Sequence, residues 1–428
     1  MKKNYQFKYG DKSVTIPVDE SQVIQVINGN DITPLSDIRT ALLNSLDTPI
    51  DSEPLSTIAQ KAGKIALIVS DMTRYWMRQD VIVPLLIDYL VSKCGKSYGD
   101  LEIIIATGTH IGGEEEELRK LVTSAVFDKV RTVNHDCKSK DLVYLGTTSY
   151  GTDVKINKDA AEADLVICLG AATYHVMAGF GGGRKSILPG ISGLETIKHN
   201  HAYSLHPEKF ITNPEIGNGI LEGNPLNEDM LEAAAMVKNL FMVTLVTDTE
   251  FRLASIFSGH WKTSWLRACD EVRRIYTVPI KEKADVVITS CGGYPKDESL
   301  YQGTKAVDNV ISSLKDGGTL ILLLEGRNGG GSPDYFDWIK PLVDGTFEKE
   351  LRENFTVGGY IFFLNCEQAR RFNILMYSSI PAEIVKPMGI KAYDDLDKLM
   401  ADADLEGRSI YIIPTGSTVL PVVEDNTK

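Results

Sequence analysis

The sequence predicts an α/β protein made of two α/β domains with mainly parallel sheets, and three observations carry that prediction. Between Lys64 and about Asp248, short apolar runs that read as buried strands alternate with amphipathic helical stretches, the pattern of a parallel sheet covered on both faces. The same β-α-β rhythm returns beyond Ala284. A chain of 428 residues is also too long to be organised around one core.

The elements follow in order. Residues 1 to about 60 read as a small β-rich start, FKYGDKSVTIPV, followed by a helical SDIRTALLNSL. KIALIVS (Lys64 to Ser70) and LEIIIA (Leu101 to Ala106) are unbroken apolar runs of strand length, and the helical VIVPLLIDYLVSKC lies between them. EEEELRKLVTSAV (Glu114 to Val126) has helical periodicity, VRTVNH ends at His135, and DLVICLG and LFMVTLVTD are further buried-strand runs. The helical WKTSWLRACDEVRRIYTV leads to a boundary near Pro279, which divides the chain into an N-terminal domain, 1–278, and a C-terminal domain, 279–428, whose last segment could pack back on the first. In the second domain ADVVITS, a helix from Tyr301 to Leu314 and TLILLLEG are expected.

Composition removes several classes of function. Net charge is −13 and no basic patch is visible, which argues against nucleic acid as a partner. No run approaches the roughly 18 apolar residues a spanning helix needs, and MKKNYQFKYG lacks the apolar core of a signal peptide, so no membrane association is expected. Six cysteines are scattered without CxxC pairs, the profile of reduced thiols in a cytoplasm.

Chemistry-bearing residues gather at the ends of three predicted strands. KIALIVS delivers Asp71-Met72-Thr73-Arg74, LEIIIA delivers Thr107-Gly108-Thr109-His110, and DLVICLG leads to Tyr174-His175, the way a doubly wound sheet assembles a site at its carboxyl edge. His175 opens a segment in which Gly179, Gly181, Gly182 and Gly183 permit close backbone approach, with Lys185 two residues after the last glycine. A generic phosphate loop would account for that segment alone, although the spacing is not that of a Walker motif. His199 and His201 close it at i, i+2, so at most one of them faces the site, and a single imidazole beside a lysine is not a zinc pattern.

Together these residues resemble the lactate racemase family, enzymes that depend on a nickel-pincer nucleotide. The resemblance rests on DMTR (Asp71 to Arg74), TGTH (Thr107 to His110), YH (Tyr174 and His175), GGGRKSILPG (Gly181 to Gly190), NH (Asn200 and His201) and CGGYPKDESLYQGTKA (Cys291 to Ala306), six motifs in order along nearly the whole chain. It implies that Lys185 tethers the cofactor, pyridinium-3-thioamide-5-thiocarboxylic acid mononucleotide nickel, through a thioamide and that His201 is the protein ligand to Ni. The TGTH residues Thr107, Gly108 and Thr109, with Gly181, Gly182, Gly183 and Ser186, would line the cofactor. His110 and His175 would be the acid/base pair, Arg74, Gln302 and Lys305 would hold the carboxylate and hydroxyl of a small 2-hydroxy acid substrate, and Asp71 would orient its neighbours. The active site is then expected in the interdomain cleft, and the cofactor-synthesis enzymes are expected partners.

The chemistry agrees with those residue types. Moving the hydrogen at C2 as hydride is eased by a base that takes the hydroxyl proton, and imidazoles titrate near neutrality. Of the seven histidines, His135 reads as a strand cap or a cofactor contact, His199 as a supporting partner, and His206 and His260 as surface residues. The family closes its site with a tryptophan from the second domain. Here Trp338 reads as part of a helix start, and Tyr360 is the nearest positional equivalent, so a changed side-chain preference is expected. Two other readings compete: a nucleotide-dependent oxidoreductase of 2-hydroxy acids, disfavoured because G-x-G-x-x-G is missing after the first strand, and a carrier of nickel or of a nucleotide cofactor that performs no turnover. A carrier would need His201 and Lys185 but has no use for His110 and His175.

Overall fold

A computed structural model of the protein describes residues 1–424. The chain divides into two compact units, one of Asp31–Tyr203 with Glu215–Ile275, the other of Met1–Asn30, Ser204–Pro214 and Tyr276 onward.

The first unit holds a six-stranded sheet in the order Leu253–His260, Leu240–Thr247, Leu165–Ala171, Ile65–Ser70, Leu101–Ala106, Arg131–Asn134. All pairings are parallel except that of the edge strand Leu253–His260. Ile65–Ser70 and Leu165–Ala171 are buried almost throughout, which explains their unbroken apolar sequences: both faces of a parallel sheet are covered, so no alternation is left to see. Strand order reverses between these two strands, because the chain steps outward from Ile65–Ser70 to Arg131–Asn134 and then returns to the other side. In sheets of this kind that switch point is where ligands bind, outside the carboxyl ends of the strands.

The helices follow the sequence with one break. Gln79–Ser92 packs seven buried residues, among them Ile82, Leu86 and Leu90, against the sheet. The stretch expected as one helix from Glu114 is two, Glu115–Val122 and Ser124–Phe127, because Thr123 adopts φ 73°, a left-handed backbone that a β-branched residue rarely takes and that ends the helix.

The second unit has its own parallel sheet in the order Lys391–Tyr393, Asn373–Tyr377, Leu314–Leu323, Ala284–Ser290, Ile410–Ile413, Val23–Val26. Placing all of 1–278 in one domain therefore needs correction. Val23–Val26 adds a parallel strand to Ile410–Ile413, Ile27 N donates to Ile412 O at 2.8 Å, and the hairpin of Lys2–Tyr9 and Lys12–Asp19 contributes Phe7 and Ile16 to the core of this unit. The last segment, Leu420–Val423, pairs with Thr277–Ile280 inside the same unit. The helix expected over Tyr301 to Leu314 runs Leu300–Ile311, since Leu314 already begins the next strand. All six cysteines are unpaired, and among the described residues no helix is long and apolar enough to cross a membrane.

Candidate active site

Asp71 stands at the carboxyl end of Ile65–Ser70 and caps the 3-10 turn Met72–Met77, its Oδ1 accepting from Thr73 N at 3.1 Å and from Thr73 Oγ1 at 2.5 Å. Its other oxygen, Oδ2, lies 2.5 Å from Nδ1 of His110, which arrives from the end of the neighbouring strand Leu101–Ala106. Burial pushes the Asp71 carboxyl up, but the hydrogen bond and charge of His110, the Arg74 guanidinium and the Thr73 hydroxyl outweigh it and hold the group at about 2. It is a carboxylate at any physiological pH. Arg74 is half-buried, donates to Thr73 Oγ1 and has no ion-pair partner among the described residues, so its cation is available to an anion.

Thr107 is buried and its hydroxyl is committed to His135 O at 2.6 Å, so of the three residues expected to line the cofactor here it is the one occupied by the fold itself. Gly108, at φ 56°, donates its N–H to Gly190 O at 3.0 Å and draws the TGTH loop against the glycine-rich segment, while Thr109 is exposed.

That segment folds as a tight hairpin in which Tyr174 pairs with Phe180 and His175 with Gly179. His175 Nδ1 receives the main-chain N–H groups of Met177 and Ala178, both at 3.2 Å, and its Nε2 lies 3.0 Å from Lys185 Nζ. Gly181 N donates to Thr173 O at 2.7 Å. Gly182, at φ 67° and ψ −168°, occupies a region open to glycine alone, and a Cβ there would sit 2.6 Å from Ala171 O. Gly183, at φ 58°, lies flat on Trp265, where a Cβ would be 2.4 Å from Cγ. These constraints bring the 3-10 turn Gly183–Ser186, with half-buried Lys185 and buried Ser186, to the end of the central strand Leu165–Ala171. Burial, then the Arg184 and Arg74 guanidinium groups, pull the Lys185 amine well below its ordinary value.

His201 lies on the helix Leu194–Ala202, buried, with Nδ1 at 3.1 Å from Ile197 O. Burial and the nearby Lys185 charge push its imidazole down to about 3 against the raising effect of that carbonyl, so the ring is neutral, with its proton on Nδ1 and a lone pair on Nε2. His199 turns elsewhere on the same helix: Nδ1 meets Thr152 Oγ1 at 2.7 Å, and Thr152 in turn donates to buried Asp229. His135 is a structural residue, with Nε2 on Ser192 O at 2.9 Å.

Gln302 and Lys305 belong to the other unit. They lie on the helix Leu300–Ile311, capped by Ser299, and Lys305 Nζ donates to Gln302 Oε1 at 2.6 Å, so the i, i+3 spacing does bring them together on one face. Trp338 and Tyr360 are interior residues of that unit. Trp338 packs on Gly359 and donates to Asp334 Oδ2 at 3.3 Å, and Tyr360 is fully buried beside Phe355.

The residue that sequence reasoning left without a role is Arg184. Fully buried, its guanidinium donates to Ala178 O at 2.5 Å, Phe180 O at 2.6 Å and Asn227 Oδ1 at 3.0 Å, and lies 4.0 Å over the Trp265 ring. No carboxylate pairs with it among the described residues, and burial pulls it down to about 9, still cationic at neutral pH.

The chain is similar to known proteins over most of its length. The model of the lactate racemase N-terminal domain matches residues 9–212, and that of the lactate racemase C-terminal domain matches residues 280–421. The chain belongs to the lactate racemase family. The lactate racemase of Thermoanaerobacterium thermosaccharolyticum is 36% identical over 301 residues, 70% of this chain and 68% of that one. The lactate racemase of Lactiplantibacillus plantarum is 32% identical over 332 residues, 77% and 76% of the two chains. The lactate racemase apoprotein structure from the former organism superposes with a TM-score of 0.87 at 29% identity, over 99% of this chain and 100% of that one. A Thermotoga maritima protein shares the fold alone, with a TM-score of 0.64 at 18% identity over 86% and 96% of the two chains. The protein is accordingly an isomerase, a racemase acting on a small molecule.

Proposed function

We propose that this racemase interconverts the C2 configurations of a 2-hydroxy acid by hydride transfer to and from a nickel-pincer nucleotide, with His110 and His175 as the acid/base pair. One observation carries the reading: the Asp71–His110 pair at 2.5 Å and the His175–Lys185 pair at 3.0 Å stand at the carboxyl ends of adjacent parallel strands, around the switch point of one sheet. A carrier of nickel or of a nucleotide would have no need of a carboxylate-backed imidazole.

The donor set fits the group. Lys185 is an amine held toward its neutral, nucleophilic form, as a thioamide tether requires, and it is half-buried in a turn fixed by the close approach of Gly182 to Ala171 and of Gly183 to Trp265. His201 offers a neutral imidazole whose Nδ1–H is fixed on Ile197 O, the arrangement in which Nε2 serves a metal. Thr109, Gly108, Ser186 and the three glycines Gly181, Gly182 and Gly183 are proposed to flank the group, with Thr107 supporting them through His135.

When bound, the nucleotide supplies a centre that accepts hydride from C2 and returns it. Asp71 fixes the proton of His110 on Nδ1, so that Nε2 can take the hydroxyl proton. Arg74 binds the substrate carboxylate, and Gln302 and Lys305 complete the proposed substrate contacts on the strength of their motif. The six unpaired cysteines support a reducing, cytoplasmic setting, and the enzymes that make the nucleotide are the proposed partners. The test is chiral analysis of a panel of 2-hydroxy acids after exposure to protein produced alongside those enzymes. Inversion of at least one acid that disappears in His110→Ala is expected, and an inert panel with a fully loaded protein would contradict the reading.

A further inference from the structure

We propose that Glu298 is a specificity-determining residue of the substrate site, its carboxylate accepting hydrogen bonds from hydroxyl groups that a 2-hydroxy acid carries beyond C2. The inference rests on the substrate contacts assigned above to Gln302 and Lys305.

Glu298 stands one residue before Ser299, the cap of the helix Leu300–Ile311. Gln302 and Lys305 follow it by four and seven residues, the spacing that sets side chains on one side of a helix, so the three form one stripe beginning in the loop after the strand Ala284–Ser290. The loop after Leu314–Leu323 fastens the start of that stripe: Asn328 N donates to Glu298 O at 2.7 Å, Leu300 N to Gly329 O at 3.0 Å and Tyr301 N to Gly330 O at 3.1 Å. Gln302 N and Gly303 N are taken by the Ser299 hydroxyl and carbonyl, at 3.4 and 2.9 Å. The first N–H groups of the helix are thus satisfied by the fold, and the cation that this stripe offers to a substrate carboxylate is the Lys305 ammonium.

Glu298 is half-buried, and burial pushes its carboxyl up, while the Lys305 ammonium is the first charge that favours the ionised form. An ionised carboxylate accepts about four hydrogen bonds and donates none. Its hydrogen bond among the described residues is a long one, from Asn328 Nδ2 at 3.4 Å. The other acids of this corner are committed. Asp297 Oδ2 receives Gly10 N at 2.6 Å, and Arg327 joins Glu325 to Asp11, with Nη2 at 2.6 Å from Asp11 Oδ2 and the guanidinium 4.7 Å over the Tyr294 ring. Glu298 therefore keeps acceptor capacity beside the ammonium proposed to hold the substrate.

Three kinds of substrate tail meet this group differently. A hydroxyl fills an open acceptor position. A methyl strips water from the carboxylate and returns nothing, and a second carboxylate is repelled. Arg327, already shared between two carboxylates, does not offset that repulsion. The substrate class that fits is a 2-hydroxy acid with further hydroxyl groups, and a hydrogen bond to a charged acceptor corresponds to roughly a ten- to hundredfold preference.

The test compares 2,3,4-trihydroxybutanoate, as both C3 epimers, with 2-hydroxybutanoate, the same carbon chain without hydroxyls at C3 and C4. In the loaded enzyme kcat/KM should favour one or both hydroxylated epimers by roughly ten- to a hundredfold, with 2-hydroxybutanedioate the poorest substrate. Glu298→Leu, of similar bulk, should abolish that preference, and Glu298→Gln, which keeps one acceptor oxygen, should reduce it. A residue that merely steadied Lys305 would weaken all the acids alike when lost, so an unchanged ratio in Glu298→Leu overturns the proposal. So does a wild-type enzyme that handles 2-hydroxybutanoate as well as both hydroxylated epimers. Should Glu298→Leu fail to fold, the ratio in Glu298→Gln decides in the same way. Calorimetric binding of the same acids to the loaded protein repeats the comparison without turnover. A Glu298-dependent preference in a protein that inverts none of them would sink the acid/base reading alone, and inversion of all with equal affinity and rate would sink the specificity proposal alone.

Discussion

Asp71 and His110 come from the ends of neighbouring parallel strands, 39 residues apart in sequence, and meet through a 2.5 Å contact between Oδ2 and Nδ1. Replacing Asp71 with Asn keeps the shape but frees the ring to turn or to change tautomer, so kcat is expected to fall by about a hundredfold or more with little change in KM. Steady-state kinetics of the loaded variant checks this.

The same carboxylate makes a prediction about pH. Its value in the folded chain, about 2, lies below the ordinary 3.8, so the stability it contributes is present above about 3.8 and is lost as pH falls through about 2. Wild-type protein should therefore lose roughly 2 kcal/mol more than Asp71→Asn between pH 5 and pH 2. Thermal or urea unfolding of both proteins across that window measures the difference, and parallel curves would mean that the pair does not stabilise the fold.

Gly183 is pressed against Trp265, and neither its φ of 58° nor the 2.4 Å left for a Cβ tolerates alanine. Gly183→Ala should cost roughly 2–4 kcal/mol from overpacking and left-handed backbone together, seen as a lower urea midpoint at unchanged slope.

Cofactor attachment separates two residues. Lys185→Ala should abolish the mass adduct on the chain, whereas His201→Ala should keep the adduct and release the nickel, since a single imidazole is the proposed protein ligand. Intact mass and metal analysis of protein produced alongside the cofactor-synthesis enzymes distinguish these outcomes. Full nickel retention in His201→Ala would overturn its assignment.

Arg74→Lys should raise KM and lower kcat together, because an ammonium cannot reproduce the bidentate fork on a carboxylate. Lys305→Ala should raise KM. Wild-type kinetics in both variants would place the substrate carboxylate elsewhere.

Much of this site was legible because its strands are. Ile65–Ser70, Leu101–Ala106 and Leu165–Ala171 are buried on both faces, so their apolar runs stand out, and the residues after each run are the ones that meet. What escaped is non-local. Val23–Val26 pairs with a strand almost 400 residues later, a contact no local pattern announces, so the N-terminal segment was placed with the wrong unit. Arg184 reads in sequence as one more cation in a glycine-rich turn, whereas its burial depends on Asn227 and Trp265, 43 and 81 residues downstream. His135 and His199 could not be separated from site residues by spacing, because only the carbonyl and hydroxyl groups that face them show their structural roles.

In the proposed reaction C2 loses and regains its hydrogen as hydride, and the histidines handle only the hydroxyl proton. Turnover of a C2-deuterated 2-hydroxy acid by the loaded enzyme in ordinary water, followed by mass and chiral analysis of the product, separates this course from proton abstraction. Hydride transfer predicts inverted product that keeps its deuterium. Inverted product that has exchanged its deuterium for solvent hydrogen would show that a base removes the C2 proton directly, and would contradict the hydride mechanism.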